Sequence, residues 1–251
     1  MEPAPFAPDA AFLLLAAAVA VAYTAEAATG FGSIVIAVTL GAQLYPIPAL
    51  LPLLLPLSLL LTTWVVLRNR EHVDLALLGH RVLPWMAVGL AAGFAFFVYA
   101  PVSLLTPLLG VFVVGVSVLE LRRLVLRSGE PGAELGPLAF RGVMMAAGLV
   151  QGAAASGGPV LVYALGRLGL PKARFRATLA LVWLSLNTAL VLSYLATGRL
   201  GTATLPWIAL LVPVVAGSFA LGNWLHHRLD EAAFRKAVLV LLAVAGVGLV
   251  V

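Results

Sequence analysis

The chain has 251 residues, 63% of them hydrophobic and 10% charged, with a formal net charge of +5. A soluble domain carries about 25% charged residues, so a water-soluble globule is excluded and the solvent is a lipid bilayer. The absence of cysteine excludes disulfides, Cys-ligated zinc and iron–sulfur clusters, and basic residues scattered between apolar runs, not gathered in one patch, argue against nucleic acid.

The chain opens MEPAPFAPDA, with two acids and no Lys or Arg. A cleavable leader wants a basic start, so the first apolar run is expected to stay in the mature protein. Six apolar blocks follow: Ala10–Leu67, Val82–Leu119, Gly142–Gly166, Ala177–Gly198, Leu200–Leu225 and Ala237–Val251. One crossing takes about 20 residues. The second block is nearly twice that, with Pro101 in its middle, and is predicted to form two helices with a tight turn. The last is short and borrows residues from Glu231 onward.

Basic residues between the blocks set direction. Segments 68–81 (Arg68, Arg70, Arg81), 120–141 (Arg122, Arg123, Arg127, Arg141), 167–176 (Arg167, Lys172, Arg174, Arg176) and 226–236 (Arg228, Arg235, Lys236) are expected in the cytoplasm. The N-terminus, the Pro101 turn and the 197–206 turn, which holds only Arg199, are expected outside.

Parity then constrains Gly142–Gly166. It lies between two cytoplasmic segments, so it must enter and leave on one side, turning back at ASGGP (155–159) as a re-entrant pair of short helices. The first block is long enough for three spans but is expected to do the same: a re-entrant pair over Ala10–Leu44, broken at ATGFGS (28–33), then one span over Pro48–Leu67. Ala10–Thr29 also has the length to cross alone.

The halves align. ATGFGSIVI…YPIPALLPLL is laid over AASGGPVLV…LGLPKARFRA, which puts Gly32 on Gly157 or Gly158 and Pro48 on Pro171. Each half has three full crossings in this reading, and an odd number turns the second copy upside down. The expected fold is an all-α polytopic membrane protein of two inverted repeats, residues 1–125 and 138–251, joined by a cytoplasmic loop over 126–137. Each repeat has a Gly-broken re-entrant helix pair followed by three transmembrane helices. Paired broken helices in inverted repeats are a transporter architecture, with the site near the midplane.

The Gly-rich breaks, each followed a dozen or more residues later by a proline, resemble the sulfite exporter TauE/SafE family of membrane permeases. The second half carries the likeness best, in SGGPVLVYALGRLGLPKARFRAT, with TGFGS in the first. The resemblance implies a permease in a bacterial inner membrane that exports sulfite, organosulfonates or other small anions, without cofactor.

The residues supply a chemistry for it. A helix that begins inside the membrane presents unpaired N–H groups and a positive dipole end to an anion. Gly30, Gly32, Gly157 and Gly158 let backbone approach a ligand, and Thr29, Ser33 and Ser156 add hydroxyl donors. Small residues of this kind also serve close helix contacts. Glu26, the only carboxylate between Asp9 and Glu71, has Gln151 as its counterpart; it is the proton-coupling candidate, or equally a group near the interface or one that bonds backbone freed by the break. Arg174 and Arg176 are expected first as topology charges with snorkelling side chains, and are also candidates for drawing anions in. Asn187, deep in its span, is a substrate or interhelix contact, and Thr62 and Thr63 are its weaker counterparts.

Other classes fit less well. His72, His80, His226 and His227 come with no carboxylate at a ligand spacing, so no metal is expected. Ser156 has no membrane His or Lys to activate it, which argues against an enzyme. Trp64, Trp85, Trp183, Trp207 and Trp224 are expected in interfacial belts. A cation-coupled carrier or an ion channel, with freed carbonyls binding the cation, is the competing function.

Overall fold

In lipid every backbone N–H and C=O must be satisfied within the protein, and the helix does this locally. The computed structural model describes residues 6–29, 32–126, 134–226 and 231–250, and every regular element among them is helical. In chain order these are α1 (Ala10–Thr29), α2 (Ser33–Gly41), α3 (Ile47–Asn69), α4 (Leu75–Leu77), α5 (Leu83–Tyr99), α6 (Val102–Leu126), α7 (Pro137–Ala154), α8 (Gly158–Leu165), α9 (Lys172–Ala196), α10 (Leu205–His226) and α11 (Glu231–Val247).

Local chemistry sets the ends. Asp9 Oδ1 accepts from Phe12 N at 2.9 Å and starts α1 as an N-cap. Pro46 and Pro171, both extended, precede α3 and α9. Pro101 follows Ala100, whose extended backbone ends α5, so the expected turn in the second block is present.

Length decides what each helix is able to do. At 1.5 Å per residue, α2 and α8 reach only about 12–14 Å, less than half a hydrocarbon core of about 30 Å. Among the described residues, six stretches have the length and apolarity of a span: Ala10–Ala27, Ile47–His72, Leu75–Tyr99, Val102–Arg123, Ala173–Ala196 and Leu205–Gly222. The expected set differed at two places. The stretch Ala10–Ala27 is span-length by itself, because the Gly-rich break comes only after twenty helical residues. The apolar part of α11, Lys236–Val247, is shorter than a span. The helices before the breaks are also long, not short: α7 has 18 residues and starts at Pro137, before the apolar block itself.

The helices pair as α3 with α9, α1 with α10, α5 with α7 and α6 with α11. α3 sits innermost: Leu50, Leu51, Leu53, Leu54, Leu55 and Leu57 are fully buried. The outward faces stay apolar, with Leu13, Leu14, Leu108, Val111, Leu210 and Val244 exposed, as a lipid-facing surface requires. α5 and α7 meet through glycines on both sides. Gly89 and Gly93 lie against the carbonyls of Met145 and Leu149, and Gly148 and Gly152 against those of Met86 and Leu90.

Two sets of contacts mark the ends of the bundle. At one, Arg81 pairs with Glu134 at 3.4 Å, and Arg123 and Arg167 both lie over the Tyr163 ring. Arg68 covers Trp64 and Arg141 covers Trp85. At the other, Phe6 meets Tyr45 and Trp207, and Arg199 covers Phe97.

Candidate functional site

Two interruptions of helix face one another. The first lies between α1 and α2, where Gly32 takes φ 103°, a left-handed conformation open to glycine, just before Ser33 starts α2. The second lies between α7 and α8. Ala155 ends α7 in the left-handed region at φ 50°, which is strained for a residue with a Cβ. Gly157 then leads into α8, whose first turn holds Pro159.

Each break is closed by a side chain from the preceding helix. Glu26 Oε2 accepts from Ser33 N at 3.2 Å, and Gln151 Oε1 accepts from Gly157 N at 3.0 Å. Both thereby satisfy an amide at the head of a short helix. From Gln151 the chain of bonds continues. Its Nε2 donates to Asn187 Oδ1 at 2.7 Å, and Asn187 Nδ2 donates to Ser58 Oγ at 3.1 Å. The relay thus ties α7 to α9 and to α3, with all three side chains buried.

These groups surround a cavity of about 30 Å³. The first break contributes Glu26, Gly32, Ser33, Ile34 and Val35; the second contributes Gln151, Ala155 and Gly158; α3 and α9 contribute Ser58, Trp183 and Asn187. Among the described residues, the first backbone acceptor for an amide of α2 is Gly32 O, which takes Ile36 N at 3.0 Å. The amides of Ile34 and Val35 precede it, so helix geometry leaves them pointing off the end of α2. A smaller space of about 10 Å³ adjoins, sharing Glu26 and Trp183 and reaching Ala27, Thr62 and Arg176. A larger crevice of about 60 Å³ touches Gly32 too, but Ser117 and Glu120 are its only polar side chains. An anion needs donors, so the small polar cavity is the candidate site.

The expected residues fall into three groups. Glu26, Gly32, Ser33, Gln151, Gly158 and Asn187 line the cavity together. Ser156 and Gly157 stand behind it: the Ser156 hydroxyl donates to Ala154 O at 2.8 Å, and a Cβ at Gly157 would overlap the Ala147 carbonyl. Thr62 spends its hydroxyl on Ser58 O, and Thr63 is exposed. Arg176 donates to Ala27 O at 3.2 Å beside the adjoining space, whereas Arg174 is half exposed and pairs with Asp74 at 3.7 Å. Gly30 lies outside the described residues, as do His227 and Arg228, and so does the side chain of Thr29.

Beyond the breaks themselves, two cavity residues on α3 and α9 were not expected, Ser58 and Trp183. Trp183 is 7% exposed and lies against Gly158, with its ring 3.7 Å from where a Cβ would sit, so it is no interfacial belt residue. Ser58 had a visible signal: it is the one polar side chain between Tyr45 and Thr62.

A search of the curated proteins finds no match, and neither does a search of the solved structures. The sequence model of the family described as Sulfite exporter TauE/SafE matches residues 14–249, nearly the whole chain. With span-length apolar helices around a polar cavity, the chain belongs to the sulfite exporter TauE/SafE family and is an integral membrane transporter.

Proposed function

We propose that the protein exports a small oxyanion, sulfite or an organosulfonate, by alternating access of two inverted repeats around the cavity between the breaks. The observation that carries this is the convergence of both breaks and of α3 and α9 on one polar cavity. Its volume has room for about two waters, which suits a solute of a few heavy atoms.

The repeat reading is supported by a single register. Glu26 and Gln151, Gly32 and Gly157, Ser33 and Gly158, and Pro46 and Pro171 all stand 125 positions apart. Pro46, not Pro48, is therefore the partner of Pro171. In the same register α5 corresponds to α10 and α7 to α1, so the α1–α10 and α5–α7 pairs are one contact made twice. The re-entrant reading is supported by α2, too short to cross, and by Phe6 beside Tyr45, which brings the chain before α1 and the chain after α2 to one end. The N-terminus lies outside in this scheme, with the 126–137 loop in the cytoplasm of a bacterial cell.

Glu26 is the coupling group of the proposal. Ionised, it occupies the head of α2 with the protein's own negative charge. A solute anion in the same cavity favours the neutral acid, so proton and anion load together. The charged and titratable neighbours are Arg176 on α9 and Tyr23 on α1. The test is sulfite flux in proteoliposomes with and without an imposed pH gradient. Sulfite flux that follows the gradient in the wild type, and ignores it in Glu26→Gln, is expected. The Glu26 carboxylate in the cavity also favours a cation carrier; flux of Na⁺ or K⁺ without anion flux would replace the proposal with that one.

A further inference from the structure

We infer that Ser58 is the hydroxyl that donates to the bound anion, and that its proton is turned into the cavity because Asn187 donates to its oxygen and Tyr23 takes the carbonyl four residues back on its own helix. The inference rests on the anion-carrier reading above and names a contact within that site.

The direction of the relay follows from one unambiguous donor. A backbone N–H only donates, so the atom of Gln151 facing Gly157 N at 3.0 Å is the carbonyl oxygen. The amide nitrogen of Gln151 then faces Asn187 at 2.7 Å, which makes the facing atom of Asn187 its oxygen. The Asn187 nitrogen is left toward Ser58 Oγ at 3.1 Å. An amide NH₂ has nothing to accept with. Ser58 Oγ is therefore the acceptor in that bond, and its own proton goes elsewhere.

The usual destination in an apolar helix is the carbonyl four residues back. Thr62, Ser185, Thr188, Ser193, Thr197 and Ser218 all donate there. For Ser58 that carbonyl is Leu54 O. It already takes the amide of its own helix, and it accepts the Tyr23 hydroxyl from α1 at 3.1 Å. Both lone pairs are in use. Ser58 is 2% exposed and lines the cavity, so the proton points at whatever the cavity holds. A hydrogen bond to an ion is the strong kind, and its loss weakens binding by about ten- to a hundredfold.

Tyr23 stands behind the cavity, beside Ser33 and Glu26, so the double variant Tyr23→Phe with Ser58→Ala isolates its effect through Ser58: it is expected to bind as Ser58→Ala does, and a further loss would assign Tyr23 a second route. In Tyr23→Phe, Leu54 O regains a lone pair and Ser58 turns back onto its own helix. Binding is measured by isothermal titration calorimetry on the purified full-length protein, with sulfite and methanesulfonate as probes at one pH. Ser185→Ala serves as control, since that hydroxyl donates to Leu181 O away from the cavity. The expected result is at least tenfold weaker binding of both probes by Ser58→Ala and by Tyr23→Phe, with Ser185→Ala as wild type. Wild-type affinity in Ser58→Ala overturns the inference and leaves the carrier reading standing. Weakening in Ser58→Ala with none in Tyr23→Phe overturns the enforced orientation. Should Ser58→Ala not fold, Ser58→Cys, a far weaker donor, takes its place, alone and with Tyr23→Phe. A wild type that binds neither probe overturns the carrier reading, and the inference falls with it.

Discussion

The α5–α7 contact offers the sharpest test of how this fold is held. Gly148 on α7 faces the backbone of Met86 on α5. A Cβ at 148 would overlap Met86 O and stand 2.8 Å from Met86 Cα and carbonyl C. Ordinary contact begins near 3.4 Å. The helices must therefore part by about 0.6 Å to clear the carbons, and further to clear the oxygen. The obstacle is backbone, so no rotamer change relieves it. Overpacking of this kind costs about 1–3 kcal/mol, which for a chain of this size lowers the melting temperature by roughly 2–12 °C.

The control lies in the same helix. At Gly142 a Cβ would meet nothing within 4 Å. Gly142→Ala removes glycine from a helix and is expected to be neutral or stabilising by up to about 1 kcal/mol. Thermal unfolding of the two variants in one detergent separates the effects. If Gly148→Ala melts with or above the wild type, the close-contact argument is wrong. Parting α7 from α5 also moves Gln151, one helical turn beyond Gly148, so weaker sulfite binding is expected alongside.

Ala155→Gly relieves a left-handed alanine worth about 1–2 kcal/mol of strain, partly offset by the freer unfolded chain; a melting temperature raised by a few degrees is expected, and a lowered one refutes the strain. Gly158→Ala places a methyl 3.7 Å from the Trp183 ring, an ordinary contact, so wild-type melting with weaker sulfite binding is expected; unchanged binding would take that wall out of the site. Arg174→Ala removes an exposed pair worth under about 1 kcal/mol, and should slow sulfite uptake into inside-out vesicles only at low ionic strength; slowing that persists at high salt would give Arg174 a direct contact.

Much of this was readable because a bilayer makes strict demands. Charge-free runs gave the helices, the Pro101 turn appeared where the second block was too long, and the Gly-rich segments fall where α1 gives way to α2 and α7 to α8. What was not readable depends on distant residues. Ser58 matters through Asn187, 129 positions away, and through Tyr23 on another helix. Trp183 lies seven residues past Arg176, where an interfacial tryptophan and a cavity wall look alike. GLAAG (89–93) and GLVQG (148–152) are small-residue motifs in plain view, but only the paired helices reveal that they face each other. The length of α7 was misjudged for a related reason: a break says where a helix ends and leaves open how far back it began.

The one chemical difference between the matched positions 26 and 151 gives the cavity its asymmetry. Glu and Gln have nearly the same shape, and each accepts an amide at the head of the short helix that follows. Gln151 also donates, and that donation runs through Asn187 to Ser58. An ionised Glu26 has no proton to give. Its side is not wired onward in the same way: Thr62, the residue in register with Asn187, bonds its own helix instead. The Gln151 side chain is therefore permanently the head of a donor relay, whereas the Glu26 side chain becomes a donor only when it takes up a proton. In the proposed carrier this is why a proton and an oxyanion favour each other's binding. The neutral acid withdraws a repelling charge and supplies a hydrogen bond in the same step, and Glu26→Gln fixes the protein in the state that does both.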